Sequence, residues 1–329
     1  MSAGEAEGEF DFIKRRLRPL AGEGALDLAD DAAVLTPPEG EQIVLAADAL
    51  VAGRHFPFDE EPGAAARKAL RANLSDLAAM GARPLGYLTS VVWPEDASDA
   101  MRAAFADGLA ADQARYACPL LGGDTTSGPG PWTIAITAVG SVPSGQAVTR
   151  AGAKPGDRIY VTGTIGDAGL GLAVHEGRYR PDPALAEALL ERYRLPEPRL
   201  ACAGALRRHA RAAIDVSDGL IADARHIAET SGVSLSVDLE RTPLSEGARA
   251  WLADQPDETT ARLSLARSGD DYELIAAVAP GDAGAFVAAC EAAGAPATLI
   301  GETGHGPAGV TVRLDGREID AGAGGFTHF

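Results

Sequence analysis

Segments typical of β-strands and segments typical of α-helices alternate along this chain from end to end, and this alternation constrains the fold more than any other feature. The strand candidates are rich in Val, Ile, Leu and Thr and mostly end in Gly, Pro or Asp. They span residues 42–48, 86–93, 132–142, 157–162, 212–216, 234–239, 272–278, 298–301 and 310–314. Helix candidates, several dominated by alanine, span residues 65–80, 99–116, 169–176, 183–192, 198–209, 219–231 and 283–293. The pattern predicts a fold of the α/β or α+β class, in which helices cover sheets.

The chain is long enough for about two domains, since it has 329 residues. The best boundary lies within residues 142–157, where Pro, Gly, Ser and Lys cluster between two strong strand candidates. We therefore expect an N-terminal α/β domain over residues 1–145 and a C-terminal α/β domain over residues 146–329.

The charge balance and the cysteines exclude several classes of protein. Acidic residues outnumber basic residues by 47 to 29, a formal net charge of −18, which disfavours a general binder of nucleic acids or anionic membranes. No run of about 18 apolar residues predicts a membrane span, and the acidic, polar start of the chain lacks the layout of a signal peptide. Cys118, Cys202 and Cys290 are scattered and form no C-x-x-C pair, so we expect buried thiols and a reducing, cytoplasmic location.

Aspartates recur at the ends of apolar segments and beside glycines, at positions 30, 31, 48, 124, 215, 218, 270 and 271. Taken singly, an Asp before a helix usually caps it and an Asp beside Gly usually lies in a turn. Asp76 differs because it is inside a helix candidate, where Asn73 and Asp76 flank the apolar stripe of Leu70, Leu74 and Leu77. A carboxylate at the edge of a buried face costs several kcal/mol unless it is paired or bound to a metal ion.

Convergence of these carboxylates would require cations. Two like charges about 4 Å apart repel by roughly 4 kcal/mol at an effective dielectric constant near 20. Carboxylates without His or Cys neighbours suit hard ions that prefer oxygen, Mg²⁺ before Zn²⁺. The sequence therefore predicts a cluster of Mg²⁺ ions whose open faces bind phosphate oxygens.

The sequence contains no P-loop motif for binding phosphate. No G-x-x-x-x-G-K-[ST] motif occurs, which excludes a Walker-type NTPase, and the protein-kinase motifs are also absent. A glycine-rich segment, residues 161–171, follows a strand candidate and opens a helix candidate, so it is either an anion-binding turn or a plain tight connection. Arg150 and Lys154 lie just upstream, either as phosphate contacts or as solvated charges.

Six segments occur in an order that resembles the thiamine-monophosphate kinase family, of the superfamily that includes aminoimidazole ribonucleotide synthetase and selenophosphate synthetase. The resemblance spans nearly the whole chain, and its most specific block is NLSDLAAMGA at residues 73–82. The others are LVAGRHF at 50–56, GGDTT at 122–126, RAGAKPGD at 150–157, DVSDGL at 215–220 and DYEL at 271–274.

The resemblance implies ATP-dependent phosphorylation of thiamine monophosphate to thiamine diphosphate, without a general base. It also implies a homodimer in which the N-terminal sheet forms a β-barrel with the sheet of a second subunit. Mg²⁺ would be held at the positions of Asp31, Asp48, Asp76, Asp124, Asp215 and Asp218. The residues implied to contact ATP are Gly123, Asp124, Arg150 and Ser217, and those implied to contact the thiamine substrate are His55, Asp270 and Phe326.

The chain departs from the family pattern at three places. Ala29 stands where Gly usually precedes the Asp-Asp pair, Ala46 and Ala47 replace hydroxyl residues before Asp48, and Asp270 is one methylene shorter than the usual Glu. Two alternatives remain open at this point. One is another phosphotransferase or synthetase of the superfamily, although a selenophosphate synthetase would need a reactive cysteine near the N-terminus. The other is a non-catalytic paralogue that binds nucleotide or metal, which the set of six aspartates disfavours.

Overall fold

The computed structural model describes residues 8–322, and these divide into two compact units. Unit 1 holds the described chain up to Leu77 together with Arg83–Gly145. Unit 2 holds Ala78–Ala82 and the described chain from Gln146 onward. Both units combine sheets with helices, so the fold is a mixed α/β fold of two units.

Unit 1 contains one four-stranded sheet with strand order β1-β4-β2-β3. Its elements are α1 (Glu9–Phe12), β1 (Glu41–Val51), α2 (Pro62–Ala79, whose last residues belong to unit 2), β2 (Arg83–Pro94), α3 (Asp99–Tyr116), β3 (Leu120–Gly128) and β4 (Thr133–Pro143). Strand β4 pairs antiparallel with β1 and β2. Strand β3 pairs parallel with β2, and helix α3 connects these two strands in sequence. The sheet is open, with β1 and β3 at its edges.

Aromatic side chains fill the core of unit 1 on one face of this sheet. Trp93 of β2 stacks on Trp132 with ring centroids 5.7 Å apart, and Phe105 of α3 contacts both rings edge-on at 5.2 and 6.1 Å. Along β2 the residues on this face are buried, whereas Leu88 and Val92 on the other face are 38% and 37% exposed. The helices therefore cover one face of the sheet and leave the other open within the described chain.

Unit 2 contains a seven-stranded mixed sheet with strand order β11-β10-β7-β9-β5-β8-β6. Its strands are β5 (Arg158–Thr162), β6 (Ala210–Asp215), β7 (Ser234–Asp238), β8 (Leu274–Val278), β9 (Ala297–Gly304), β10 (Gly309–Leu314) and β11 (Arg317–Ile319). Its helices are α4 (Asp167–His175), α5 (Pro183–Arg194), α6 (Ala203–His209), α7 (Leu220–Ser231), α8 (Glu246–Ala253), α9 (Glu258–Arg267) and α10 (Ala283–Ala292).

Helices cover both faces of this second sheet. Residues of α7 and α9 pack on one face, and residues of α6 and α10 pack on the other. Ile159 and Val161 of β5 belong to the first core, whereas Tyr160 between them belongs to the second. All five residues of β8 are buried, because both of its faces are covered.

Each predicted strand and helix overlaps an element of the same type, with one helix split. The segment 198–209 forms a 3₁₀ turn, Leu200–Cys202, and then α6. The sequence missed β3, β11, α1, α8 and α9. Strand β3 was missed because its polar, glycine-rich sequence resembles a turn, and the expectation that an Asp beside Gly lies in a turn is wrong for Asp124.

Asp48 is also placed differently from the prediction. It lies inside β1 rather than at its end, because the strand continues to Val51 and its last residues pair with residues 133–135 of β4. The three cysteines are buried and form no disulfide, as expected. Among residues 8–322, no helix has the length and apolarity needed to cross a bilayer.

Candidate active site

Strand β3 carries two of the predicted site residues, Gly123 and Asp124. Gly123 has φ +156°, and a Cβ atom at this position would lie only 1.8 Å from the carbonyl oxygen of Thr89 on β2. Glycine is therefore required for the close approach of the two strands. Asp124 pairs with Ser90 and lies on the open face of the sheet, where it is exposed.

Asp31 and Asp124 line one cavity of unit 1, with a volume of about 590 Å³ that Asp30 and Gly123 also border. Both Asp30 and Asp31 are exposed, and the Asp31 N–H donates to Oδ1 of Asp30 at 3.1 Å. The structure thus brings Asp31, Gly123 and Asp124 to one cavity.

The segment just before this pair has an unusual backbone. Leu26, Asp27 and Leu28 have φ values of 50°, 58° and 52°, a left-handed conformation that costs roughly 1–2 kcal/mol per residue. Ala29, by contrast, has φ −111° and ψ 0°, so the glycine usual in the family is not required here. This departure therefore does not disturb the backbone that presents Asp30 and Asp31.

Asp48 and Asp76 belong to the opposite face of the sheet in unit 1. Asp48 pairs with Ile136, which pairs with Thr89, so the register places Asp48 and Asp124 on opposite faces. The Asp48 N–H donates to Oδ1 of Asn73 at 3.1 Å, which ties β1 to α2. Three residues further along α2, Asp76 is half-buried.

The side chain of Asn73 connects helix α2 to strand β1 through a hydrogen bond. Its side chain is fully buried, and its Nδ2 donates to the carbonyl oxygen of Ala69 at 3.0 Å. Both polar ends of the amide therefore have partners, as a buried polar group requires. The expectation that Asn73 and Asp76 flank the apolar stripe agrees with their burial.

His55 sits in a tight turn that follows β1. Its Nδ1 accepts the N–H of Val51 at 3.0 Å, and Gly53 in the same turn has φ +78°. Because a ring nitrogen that accepts a hydrogen bond carries no proton, the neutral imidazole holds its proton on Nε2. Lys68, itself 2% exposed, donates from Nζ to the His55 carbonyl oxygen at 3.0 Å.

In unit 2, residues 215–219 form a loop that carries three predicted site residues, and we call it the acidic loop. Strand β6 ends at Asp215, which is 3% exposed, and the loop leads into α7. Three consecutive N–H groups, those of residues 217–219, donate to Oδ2 of Asp223 at 3.0, 3.0 and 3.1 Å. Asp223 is 2% exposed, and it was not among the predicted site residues.

A second segment, residues 269–273, pairs with the acidic loop through the backbone. The Asp270 N–H donates to the Ser217 carbonyl at 2.9 Å, and the Tyr272 N–H donates to the Val216 carbonyl at 2.8 Å. Asp270 has φ +68°, a conformation that Asp adopts more readily than most residues with a side chain. The structure therefore brings Asp270 next to the loop of Asp215, Ser217 and Asp218, and it gives a backbone reason for a short acid at this position.

The glycine-rich connection is occupied by a carboxylate of the protein. The Gly166 N–H donates to Oδ2 of Asp271 at 2.7 Å, and the Ala168 N–H donates to Oδ1 at 3.1 Å. Burial is the main reason that the pKa of Asp271 rises to about 8, although these two bonds and Arg192 act in the other direction. The N-terminus of α4 thus already has hydrogen-bond acceptors from the protein, which favours a plain connection over a phosphate-binding turn.

Glu273 anchors the same segment through charged groups. It accepts bonds from Thr162 Oγ1 at 2.7 Å, Arg199 Nε at 2.6 Å and Arg192 Nη2 at 2.8 Å. Burial alone would raise the pKa of Glu273, but the bonds and charges of the two arginines outweigh burial and hold it below its ordinary value. The carboxylate is therefore ionised and paired in the folded chain.

Several groups of unit 2 have the chemistry of a cation site. Ligand atoms of Asp218, Asp223 and His226 lie within 4.8 Å of one another. Burial raises the pKa of Asp223 well above its ordinary value, and the nearby charges of Asp215 and Asp218 add to the rise. A divalent cation would relieve this repulsion, and the two carboxylates suit Mg²⁺, whereas the imidazole of His226 is not a typical ligand of that ion.

Two further predicted site residues are Arg150 and Phe326. Arg150 is exposed, and its carbonyl oxygen accepts a bond from Ser231 Oγ at 3.2 Å. Phe326 lies outside the described residues. Sequence reasoning missed Asp223 because an acid in the first turn of a helix is common and gives no sign of its partners.

Two family models together match most of the chain. Residues 29–142 match the model of the AIR synthase related protein, N-terminal domain, and residues 154–313 match that of the corresponding C-terminal domain. A thiamine-monophosphate kinase of Caulobacter vibrioides is 50% identical over 322 residues, which cover 97% of this chain and 90% of that relative.

Two solved structures extend the comparison. The thiamine-monophosphate kinase of Stenotrophomonas maltophilia K279a superposes with a TM-score of 0.83 at 38% identity, covering 94% of this chain and 97% of that one. AaThiL complexed with AMPPCP and TMP superposes with a TM-score of 0.78 at 28% identity, covering 98% of this chain and 97% of that one. By sequence and by fold, the chain belongs to the thiamine-monophosphate kinase family of AIR synthase related proteins.

Proposed function

We propose that this chain transfers the γ-phosphoryl group of ATP to thiamine monophosphate and so forms thiamine diphosphate. The observation that carries the proposal is the 50% identity to a thiamine-monophosphate kinase across 97% of the chain. The AMPPCP and TMP bound to AaThiL support ATP and thiamine monophosphate as the two substrates.

The reaction needs little help from a base. A phosphate monoester has a second pKa near 6 and is largely dianionic at pH 7, so its oxygen can attack the γ-phosphorus without losing a proton to the protein. The main barrier is repulsion between two polyanions, and screening of that charge is what the site must supply. This agrees with a site rich in carboxylates that attract divalent cations.

We propose Mg²⁺ as the cation, held by carboxylates of the chain. The candidate ligands are Asp31, Asp48, Asp76, Asp124, Asp215 and Asp218. When bound, Mg²⁺ would neutralise phosphate charge. The carboxylates of the chain hold and orient the cations, and the burial of Asp215 keeps its orientation fixed.

The substrates would be contacted by residues next to these ligands. Gly123, Asp124, Arg150 and Ser217 would bind the nucleotide, and His55, Asp270 and Phe326 would bind thiamine monophosphate. For His55 the tautomer supports this role, because a proton on Nε2 can be donated to a phosphate oxygen while Nδ1 stays bonded to Val51. The shorter reach of Asp270 is offset in part by its left-handed backbone, which sets the direction of the side chain.

We also propose that residues 1–145 bind metal and ATP and form a homodimer, and that residues 146–329 contribute substrate contacts. The open face of the four-stranded sheet supports the dimer, because Leu45 is 66% exposed there beside Leu88 and Val92. A second copy of the same face would bury these side chains and close a barrel. The three thiols outside disulfides fit a reducing, cytoplasmic location.

The test is a coupled assay of ADP release. We expect Mg²⁺-dependent release of ADP with thiamine monophosphate, formation of thiamine diphosphate, and no release with thiamine. Turnover of other acceptors in place of thiamine monophosphate would indicate another phosphotransferase of the superfamily. Binding of AMPPCP without any turnover would indicate a non-catalytic paralogue.

A further inference from the structure

One carboxylate oxygen collects three consecutive backbone N–H groups at the start of α7. Oδ2 of Asp223 accepts the N–H groups of residues 217, 218 and 219 at 3.0, 3.0 and 3.1 Å. Asp223 is 2% exposed, so water does not compete for these bonds.

The other side of the same loop is held by backbone pairing. The carbonyl oxygens of Val216 and Ser217 accept the N–H groups of Tyr272 and Asp270, at 2.8 and 2.9 Å. The acidic loop is therefore hydrogen-bonded on one side to the segment 269–273 and on the other to the side chain of Asp223. Removing Asp223 would leave three N–H groups on one side without their acceptor.

We propose that Asp223 is a positioning residue for the reaction: it fixes the acidic loop so that Ser217 and Asp218 face the nucleotide and its metal ion. The inference rests on the proposed function for the identity of these ligands. Asp223 acts through the backbone, by holding the N–H groups of residues 217–219 in one direction. The side chains that this loop presents then need no reordering when the nucleotide binds.

A direct role as a metal ligand is the rival explanation, since ligand atoms of Asp223, Asp218 and His226 lie within 4.8 Å of one another. The two roles depend on different properties of the side chain. Positioning needs an oxygen that accepts hydrogen bonds, which an amide keeps. Ligation of Mg²⁺ depends strongly on the negative charge, which an amide loses.

The experiment compares Asp223→Asn with Asp223→Ala in the full-length chain. We measure binding of Mn²⁺ with AMPPCP by electron paramagnetic resonance, and hydrogen exchange at the amides of residues 217–219. For Asp223→Ala we expect amide exchange and the dissociation constant each to rise at least about tenfold, since three bonds of roughly 1 kcal/mol each are lost. For Asp223→Asn we expect both to stay within about threefold of the original chain, because the acceptor oxygen remains.

Turnover gives a second, separate readout. Asp223→Ala should lower kcat at saturating thiamine monophosphate while the KM for that acceptor stays within about twofold, as expected when orientation and not acceptor binding is lost. The matched control is Asp257→Ala, which removes an exposed cap whose Oδ1 accepts two N–H groups of α9. This control should leave Mn²⁺ binding and turnover unchanged.

The outcomes separate this inference from the proposed function. Equal loss of Mn²⁺ binding in Asp223→Asn and Asp223→Ala would overturn positioning in favour of ligation, and so would unchanged amide exchange in Asp223→Ala. If Asp223→Ala does not fold, the original chain still decides, because rapid exchange at residues 217–219 contradicts a fixed loop. Mn²⁺ binding and amide exchange need no turnover, so an original chain that fails to phosphorylate thiamine monophosphate refutes the function and leaves this test intact.

Discussion

The acidic segments of the two units are built in opposite ways. In unit 2 the acidic loop lies between a paired backbone segment and the buried carboxylate of Asp223. In unit 1 Asp30 and Asp31 are exposed and follow three left-handed residues, on a cavity beside the open sheet face. We infer that unit 2 presents its proposed ligands preformed, whereas the proposed ligand Asp31 of unit 1 becomes ordered when cations, nucleotide or a second subunit bind.

We expect the largest effect on stability from a change at Glu273, in the segment that pairs with the acidic loop of unit 2. Glu273→Gln removes the buried charge that pairs with the guanidinium groups of Arg192 and Arg199, so the free energy of unfolding should fall by about 3–5 kcal/mol. Urea denaturation measures this change. The control Glu176→Gln, which breaks the exposed pair with Arg178, should cost at most about 1 kcal/mol. Equal effects of both changes would show that Glu273 does not stabilise unit 2 more than an exposed ion pair does.

For a change at Asp124, on the open face of the sheet in unit 1, we expect an effect on activity and not on stability. Asp124→Asn removes an exposed carboxylate, so we expect turnover to fall roughly 100- to 1000-fold with an unchanged melting temperature. Asp76→Asn, at a half-buried position of α2 on the opposite face, should also lower turnover. Asp107→Asn on the exposed face of α3 is the matched control and should retain full activity. Near-normal turnover in either site variant would remove that residue from the proposed metal ligands.

The open face itself can be tested through the proposed dimer. Leu45→Glu would place two like charges in the apolar interface, so the dimer dissociation constant should rise at least about 100-fold. Sedimentation velocity over a range of protein concentrations measures this shift. Phe10→Glu, at another exposed apolar residue outside the sheet, should leave the association unchanged. A monomeric original chain would show instead that this face has no such partner.

The buried Asp271 should make stability depend on pH. Its pKa is about 8 in the folded chain and near 4 when unfolded, so between these values only the folded state keeps the proton. The stabilisation from this group is full below about pH 4, and it falls by up to about 1.4 kcal/mol per pH unit until about pH 8. Denaturation at a series of pH values should show a flatter decline for Asp271→Asn, and an identical slope would show that another group titrates.

The smallest effect is expected for His55. His55→Ala removes the proposed Nε2 donor, so the KM for thiamine monophosphate should rise about tenfold while kcat changes little. Loss of the bond from Val51 should also lower the melting temperature slightly. His305→Ala at an exposed site is the control. A lower melting temperature with an unchanged KM would assign His55 a purely structural role.

Local sequence patterns predicted the elements of the fold well. Apolar strands such as β5 and β8 are recognisable because burial on their faces selects Val, Ile, Leu and Ala. Strand β3 is not recognisable, since its GGDTTSG sequence lacks apolar alternation and its place depends on pairing with β2 and on the bridge from Ala21 to Leu120. Pairing between segments that are distant in the chain produces no pattern in the local sequence from which it could be predicted.

The arrangement of the candidate site was not predictable from the sequence. The motif around Asp271 was recognised, yet its partners Gly166 and Ala168 lie about one hundred residues away in sequence, and no spacing rule reveals them. Likewise, the opposite faces of Asp48 and Asp124 follow from strand register, which a single sequence does not encode locally.

The carboxylate of Asp271 at the start of α4 has a practical consequence for inhibitor design. The end of a helix after a glycine-rich turn is a common target for phosphate-mimicking groups. Here a resident side chain already takes up two of its amides, so a sulfonate or phosphonate directed there would find fewer donors. Ligands for this protein should instead direct their anionic groups toward the cation-binding carboxylates and carry a chelating function.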